Sequence, residues 1–371
     1  MIKNSLIASV LLFCGSAAVA QHENLVAAAS EHSTFAPETA KVHFGGSAQF
    51  RYAWNTNVND LGNDNTNGFS VPLARLHATG DITDSVDFRV EGQFDSGSED
   101  FGLTDAFVGV APFESARFQI GQFRLPFLLE QNVDAEKQMS AQTSVFSNIF
   151  GQGYSQGVQL GLGNDDVLFR AAVSDGFNTA NTNFDDAVES DLSLTARLDL
   201  AVIGKISNFS EFTSYDGNGG LLIGAAAHYQ DENSLAENLL TYTADVNWKV
   251  AGWSVYGAAV GRNVEDGVDT FDDFGAIAQT SLRISNFEPF ARAEVIMPDD
   301  KRGFDVDTYP FLTAGVNYYL CGHAAKFTVD AVYAIEATDD IAGMNAFTDN
   351  SLISSTEEGE VCVAAQFQVM F

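Results

Sequence analysis

Basic residues are scarce: 18 Lys and Arg stand against 50 Asp and Glu, a formal net charge of −32. Such a chain repels phosphate backbones, which excludes nucleic acid as a partner. The acidic excess reads first as a way of keeping exposed loops soluble. Cysteine is nearly missing, with Cys14, Cys321 and Cys362 in 371 residues, so no disulfide framework holds the fold. The six histidines stand singly at His22, His32, His43, His77, His228 and His323, without metal-ligand spacing. No metal and no cofactor are expected. Nowhere do 18 apolar residues follow one another, which excludes a helical membrane anchor. Disorder is excluded as well, because 46% of the residues are apolar and 12% aromatic, whereas disordered chains are poor in both.

What is present begins at the N-terminus. Residues 1–20 read MIKNSLIASVLLFCGSAAVA: an early Lys, a short apolar run and an Ala-x-Ala ending, the pattern of a secretory signal peptide cleaved before Gln21. Phe13 is bulky where lipid attachment at Cys14 would want a small residue. Residues 21–40 are small and polar and read as a flexible periplasmic lead-in, leaving 41–371 as one folded unit.

From Lys41 onward, stretches of about ten residues alternate apolar and polar side chains, separated by turns rich in Gly, Asn, Asp and Ser; period two is the strand signature. Val42, Phe44, Ala48, Phe50, Tyr52 and Trp54 share one face, opposite His43, Ser47, Gln49 and Arg51. Leu240, Tyr242, Val246 and Trp248 oppose Thr241, Thr243, Asp245, Asn247 and Lys249. The segments 86–95, 191–200 and 327–335 repeat the pattern. A soluble sandwich would bury the apolar face, but here that would need a very large core. The inverted arrangement puts the apolar face in lipid and the polar face along an aqueous lumen. The sheet must then close, because an open edge would leave backbone groups unsatisfied in hydrocarbon.

The last residues favour the inverted arrangement. Val361, Val363, Ala365, Phe367, Val369 and Phe371 share a face, and a final strand ending on Phe resembles the assembly signal of bacterial outer-membrane proteins. Short and long connections also alternate, as periplasmic turns and outer loops do. Counting them gives an all-β, transmembrane antiparallel β-barrel of about 16 strands. One connection, Ala201–Gly219, is too long for its place as a turn. The third long connection, Arg124–Phe150, carries Leu125-Pro126-Phe127-Leu128-Leu129-Glu130 and then Phe146 and Phe150. So many apolar residues suit a loop folded inward against the wall better than one in water.

Two motifs carry less than they promise. Gly153-Tyr154-Ser155-Gln156-Gly157 matches the hydrolase elbow G-x-S-x-G, but that elbow needs a helix after the Ser, and Val158, Leu160 and Leu162 continue a strand. Asn63–Gly68 resembles the start of a calcium loop, but the leading acid is missing and Ala74 stands where the closing Glu belongs. Neither supports catalysis or a metal site, and the chain is read as no enzyme. Cys321 falls at a turn and Cys362 near the opposite rim. The strand length between them exceeds disulfide reach.

Several segments together resemble a known family. Phe69–Phe94 with Ala74-Arg75-Leu76 and Gly80, Leu103-Thr104-Asp105-Ala106, and Gly121-Gln122-Phe123-Arg124-Leu125-Pro126-Phe127 with Glu130 are similar to the phosphate-selective porin O/P family. So is Val316-Asn317-Tyr318-Tyr319-Leu320 with His323 and Lys326. The resemblance implies a sixteen-stranded homotrimeric barrel, a constricting third loop, and a lumen where Arg and Lys side chains draw in anions. The chain departs from the family at Pro72-Leu73-Ala74-Arg75, where only Arg75 of an Arg-rich run remains. A general or weakly anion-preferring pore is expected.

The function expected is passive diffusion of small hydrophilic solutes or ions, anions such as phosphate among them, across the bacterial outer membrane. Charge beside a narrowing acts strongly because low-dielectric walls focus the field. Arg51, Arg89, Arg117 and Arg197 have lumen-facing parity, and Arg75 and Arg124 match the family's motifs; these six are the candidate pore residues. Pairing with Asp87, Glu91 and Asp199 would cancel much of their effect. A structural or adhesive barrel with a plugged lumen is the alternative.

Overall fold

The computed structural model describes residues 41–56, 65–94, 101–183, 186–214, 219–231, 238–265, 269–344, 352 and 355–371. The leader at 1–20 and the lead-in at 21–40 lie outside them, and the segment Asn63–Gly68 begins outside them and runs into the second strand.

Sixteen strands follow one another: β1 (Lys41–Asn55), β2 (Thr66–Thr83), β3 (Val86–Phe94), β4 (Phe101–Phe113), β5 (Ala116–Arg124), β6 (Tyr154–Gly163), β7 (Val167–Ser174) and β8 (Ser193–Ile203). They continue as β9 (Gly220–Gln230), β10 (Asn238–Val250), β11 (Trp253–Glu265), β12 (Thr270–Leu282), β13 (Phe287–Met297), β14 (Tyr309–Cys321), β15 (Ala325–Ala334) and β16 (Val361–Met370). Each pairs antiparallel with its neighbours in sequence, and β1 pairs with β16, so the sheet closes. Closure is in register: Ser47 faces Met370, Arg51 faces Gln366 and Asn55 faces Cys362. Gly46 and Phe371 then exchange backbone hydrogen bonds of 2.9 and 3.0 Å. No sheet edge remains, which is what a hydrocarbon surrounding demands.

The alternation read in the sequence governs exposure. Along β10 every second residue is exposed, from Leu240 through Tyr242, Val246 and Trp248 to Val250, while Thr241, Thr243, Asp245, Asn247 and Lys249 are buried. On β8, Leu194, Leu198 and Leu200 face out; Thr195, Arg197 and Asp199 face in. Apolar side chains thus form the outer belt and polar ones the inner surface.

The turns at one end are tight. Ala251 and Gly252 join β10 to β11 with φ of 49° and 89°, the pair of left-handed residues that lets a two-residue turn follow strand twist. The turn joining β8 to β9, here turn 4, breaks this economy. It runs from 204 to 219, whereas every other turn at that end has four residues or fewer. It holds the short helix Ile206–Phe209 and buries Phe209 and Phe212.

The connection from β5 to β6, loop 3, spans residues 125–153 and carries the helix Leu129–Asn132, a single 3-10 turn at Ala135–Lys137 and the helix Val145–Phe150. Ser144 caps the last of these by accepting the Ser147 amide at 2.9 Å, as an N-cap serine should. Phe127, Leu128, Phe146 and Phe150 are completely buried, in one cluster with Tyr256, Val260, Ile277, Phe290, Ile296 and Phe311 of β11–β14. Burial of each such side chain contributes about 1.5–3 kcal/mol. Cys321 and Cys362 are both free thiols, at opposite rims.

Candidate functional site

Inward-pointing side chains from β1, β8, β11 and β13–β15 meet the backbone of loop 3. Arg51 on β1 donates to the Ala141 carbonyl at 2.6 Å and Arg197 on β8 to that of Phe127 at 2.8 Å. Arg262 on β11 reaches Ile149 at 3.0 Å and Arg292 on β13 reaches Gln142 at 3.1 Å. Asn317 on β14 reaches Met139 and Lys326 on β15 reaches Gln138, each at 2.8 Å. In the other direction, Ser140 Oγ and the Ala141 amide donate to Asp330 at 2.6 and 2.8 Å. A loop without strand partners leaves its carbonyls to be satisfied by something, and buried ones left alone are costly. Here cations and amides of the wall satisfy them.

Beside the loop, along β1–β3 and β5, a cavity of about 540 Å³ stays open. Arg51, Arg75 and Arg124 line it, with Gln93, Tyr154 and Glu130. Glu130 turns toward loop 3, where Ser144 and Ser147 donate to its Oε2 at 2.6 and 2.7 Å. Arg124 stacks on the Tyr154 ring at 4.9 Å and donates to the Tyr154 hydroxyl and to the Gln131 carbonyl. No carboxylate among the described residues forms an ion pair with it.

The six arginines picked out in the sequence separate into groups. Arg51, Arg75 and Arg124 come together at the cavity. Arg89 pairs with Glu91 and, at 3.2 Å, with Asp105; Arg117 pairs with Asp87. Arg75 also has Glu91 at 3.8 Å and Glu136 at 3.9 Å. Arg197 is locked away, its side chain 0% exposed between Asp199 and Asp245, both at 2.7 Å. The pairings with Asp87, Glu91 and Asp199 that would cancel charge are therefore present.

Within loop 3, burial works to raise the Asp134 carboxyl, but Lys137 and Arg124 beside it prevail and hold it below the usual carboxylate range. Sequence reasoning passed over Arg262 and Arg292, and named Lys326 only through the family resemblance and not among the candidate pore residues, although their inward parity was equally readable. What it lacked was the course of loop 3. Ser155 of the apparent hydrolase motif sits in extended chain in β6, its hydroxyl 2.7 Å from that of Thr179.

Comparison with known proteins accounts for this architecture. The sequence model of the family described as phosphate-selective porin O and P matches residues 42–260, more than half of the chain. No curated protein matches by sequence. Among solved structures, an anion-selective porin from Comamonas acidovorans superposes with a TM-score of 0.63 at 11% identity, over 90% of this chain and 100% of that one. The in-vitro folded trimer form of OmpT, an outer-membrane protein of Vibrio cholerae, gives 0.58 at 10% identity, over 89% and 100%. OmpF of Salmonella typhi, in complex with daunomycin, gives 0.60 at 12% identity, over 88% and 97%. At such identities these likenesses speak for the fold, and the family match speaks for descent. With a closed sixteen-stranded sheet, an apolar outer belt and a polar interior, the chain belongs to the phosphate-selective porin O and P family and is a porin of the bacterial outer membrane.

Proposed function

We propose that the protein is a passive, non-enzymatic diffusion pore whose path runs past loop 3 on the side of β1–β5, with loop 3 as the constriction. The carrying observation is the cavity between loop 3 and that wall, lined by Arg51, Arg75 and Arg124, where the lining carboxylate Glu130 is already engaged by two hydroxyls and Glu91 and Glu136 stand 3.8 and 3.9 Å from Arg75. Positive charge beside a narrow passage favours anions. The neighbouring pairs of Arg89 and Arg117 with carboxylates keep that preference modest. The solutes are small and hydrophilic, anions such as phosphate among them, and the working form is a homotrimer in outer-membrane lipid.

The test is ion selectivity in a planar bilayer under a salt gradient. Arg75→Glu and Arg124→Glu should each move the reversal potential toward cations, and Arg117→Glu should move it less. Reversal potentials unchanged in both of the first two variants would remove the cavity from the conduction path. The packing of loop 3 against β11–β14 favours a second reading, a structural barrel with a plugged lumen; wild-type protein that inserts but conducts nothing would establish it.

A further inference from the structure

Turn 4 does more than join two strands. It leaves β8, returns to β9, and between them its residues 206–214 lie across the inward face of the next strands. Lys249 on β10 donates to the carbonyls of Asn208, at 2.9 Å, and Glu211. Ser254 on β11 donates to the Phe212 carbonyl, and the Phe212 ring packs 4.8 Å from that of Tyr256, also on β11. Glu211 then reaches His323, whose Nε2 contacts its Oε2. His323 lies in the turn joining β14 to β15, and β10–β13 stand between that turn and the strands that turn 4 connects. The segment therefore spans the mouth of the barrel rather than hugging its rim. Its far anchor is itself braced: Gln368 Nε2 donates to the His323 carbonyl at 2.7 Å and to the Glu136 carbonyl of loop 3 at 2.9 Å.

We propose that residues 206–214 form a second size filter at the periplasmic end, in series with loop 3 and fastened across the opening by the Glu211–His323 contact. This rests on the porin reading above. Solutes that clear loop 3 must still pass between this strap and the wall of β1–β6. Phe209 and Phe212, 2% and 0% exposed, fix the strap through apolar packing. Such packing holds one position rather than a range of them.

Single-channel conductance and the size of the largest permeating neutral polymer measure the filter. Replacing residues 206–214 with Gly-Asn should raise conductance about twofold and admit larger polymers, since conductance follows the narrowest cross-section. The pair Glu211→Ala and His323→Ala, which keeps the strap but unfastens it, should raise both in the same direction by less. Heat-modifiable gel mobility checks that each barrel is folded. Wild-type conductance and cut-off in the double variant and in the shortened one overturn the proposal; if the shortened barrel fails to assemble, the double variant decides alone. A silent wild-type channel would bring down the porin reading itself, and this inference with it.

Discussion

On β3 the inward residues are Asp87, Arg89, Glu91 and Gln93; on β13 they are Glu288, Phe290, Arg292, Glu294 and Ile296. Both strands alternate with the same period, yet the first wall, its buried Glu91 apart, stays partly exposed and the second is sealed. The Arg89 and Arg117 side chains keep 30% and 41% exposure, whereas Arg292 keeps 3% and Arg197 none. The difference lies in what covers each wall. Apolar inward residues on β11–β14 give loop 3 a surface to pack on, and loop 3 then buries the ions interspersed there. The polar inward residues of β2 and β3 offer no such surface, and the open cavity lies there. In a barrel whose outer face must satisfy lipid everywhere, the inner face is free to differ from side to side.

That contrast can be broken most forcefully through its ion pairs. Arg197→Ala would leave Asp245 buried without its ion-pair partner, while Asp199 keeps Arg170 at 2.8 Å, a loss of about 3 kcal/mol. Arg117→Ala, on the partly exposed wall, should cost no more than about 1 kcal/mol. Denaturant unfolding of the refolded barrels would compare them; equal losses would show that the two walls are not differently solvated.

A smaller effect is expected from crowding the sealed side. A Cβ on Gly275 of β12 would lie 2.3 Å from the Phe150 ring and 3.1 Å from that of Phe146. Gly275→Val should therefore cost about 1–3 kcal/mol and, by pushing loop 3 off its wall, alter single-channel conductance. Gly161→Ala on β6, where the nearest atom is 3.7 Å away, should stay within about 0.5 kcal/mol of wild type. A Gly275→Val barrel as stable and as conductive as its parent would mean that loop 3 does not rest there.

The smallest expected effect concerns pH. Asp134 titrates below the ordinary carboxylate range, so its pairing with Lys137 is fully present above the ordinary value and is lost only as pH falls through the lower, folded one. Anion preference should thus rise on acidification, with a final rise below the ordinary carboxylate range to which Asp134 contributes as it protonates. In the Asp134→Asn channel that final rise should be smaller in reversal potentials measured across the acid range; if it persists undiminished, another group is responsible.

Much was legible without coordinates. The outward set from Leu240 to Trp248, the closure implied by a membrane-facing sheet, the sixteen strands and the anomaly at Ala201–Gly219 all follow from period-two alternation and connection length. Both are local properties, written within ten or twenty residues. The inward apolar residues Phe290, Ile296 and Phe311, on which loop 3 packs, were not picked out from the sequence, because their partner lies more than 130 residues earlier in the chain.

The chain's own order of residues thus decided which way each side chain points, because a pleated strand admits two directions alone. Tertiary structure decided what each side chain meets. Arg51 finds Gln366 at 3.0 Å across 315 residues of sequence, and Arg197 finds Asp245 across 48. Glu211 finds His323 across 112. Such pairings depend on closure of the whole ring and on the course of two long connections. Whether an inward arginine faces a passing solute or holds up a loop is therefore settled only when the barrel is complete.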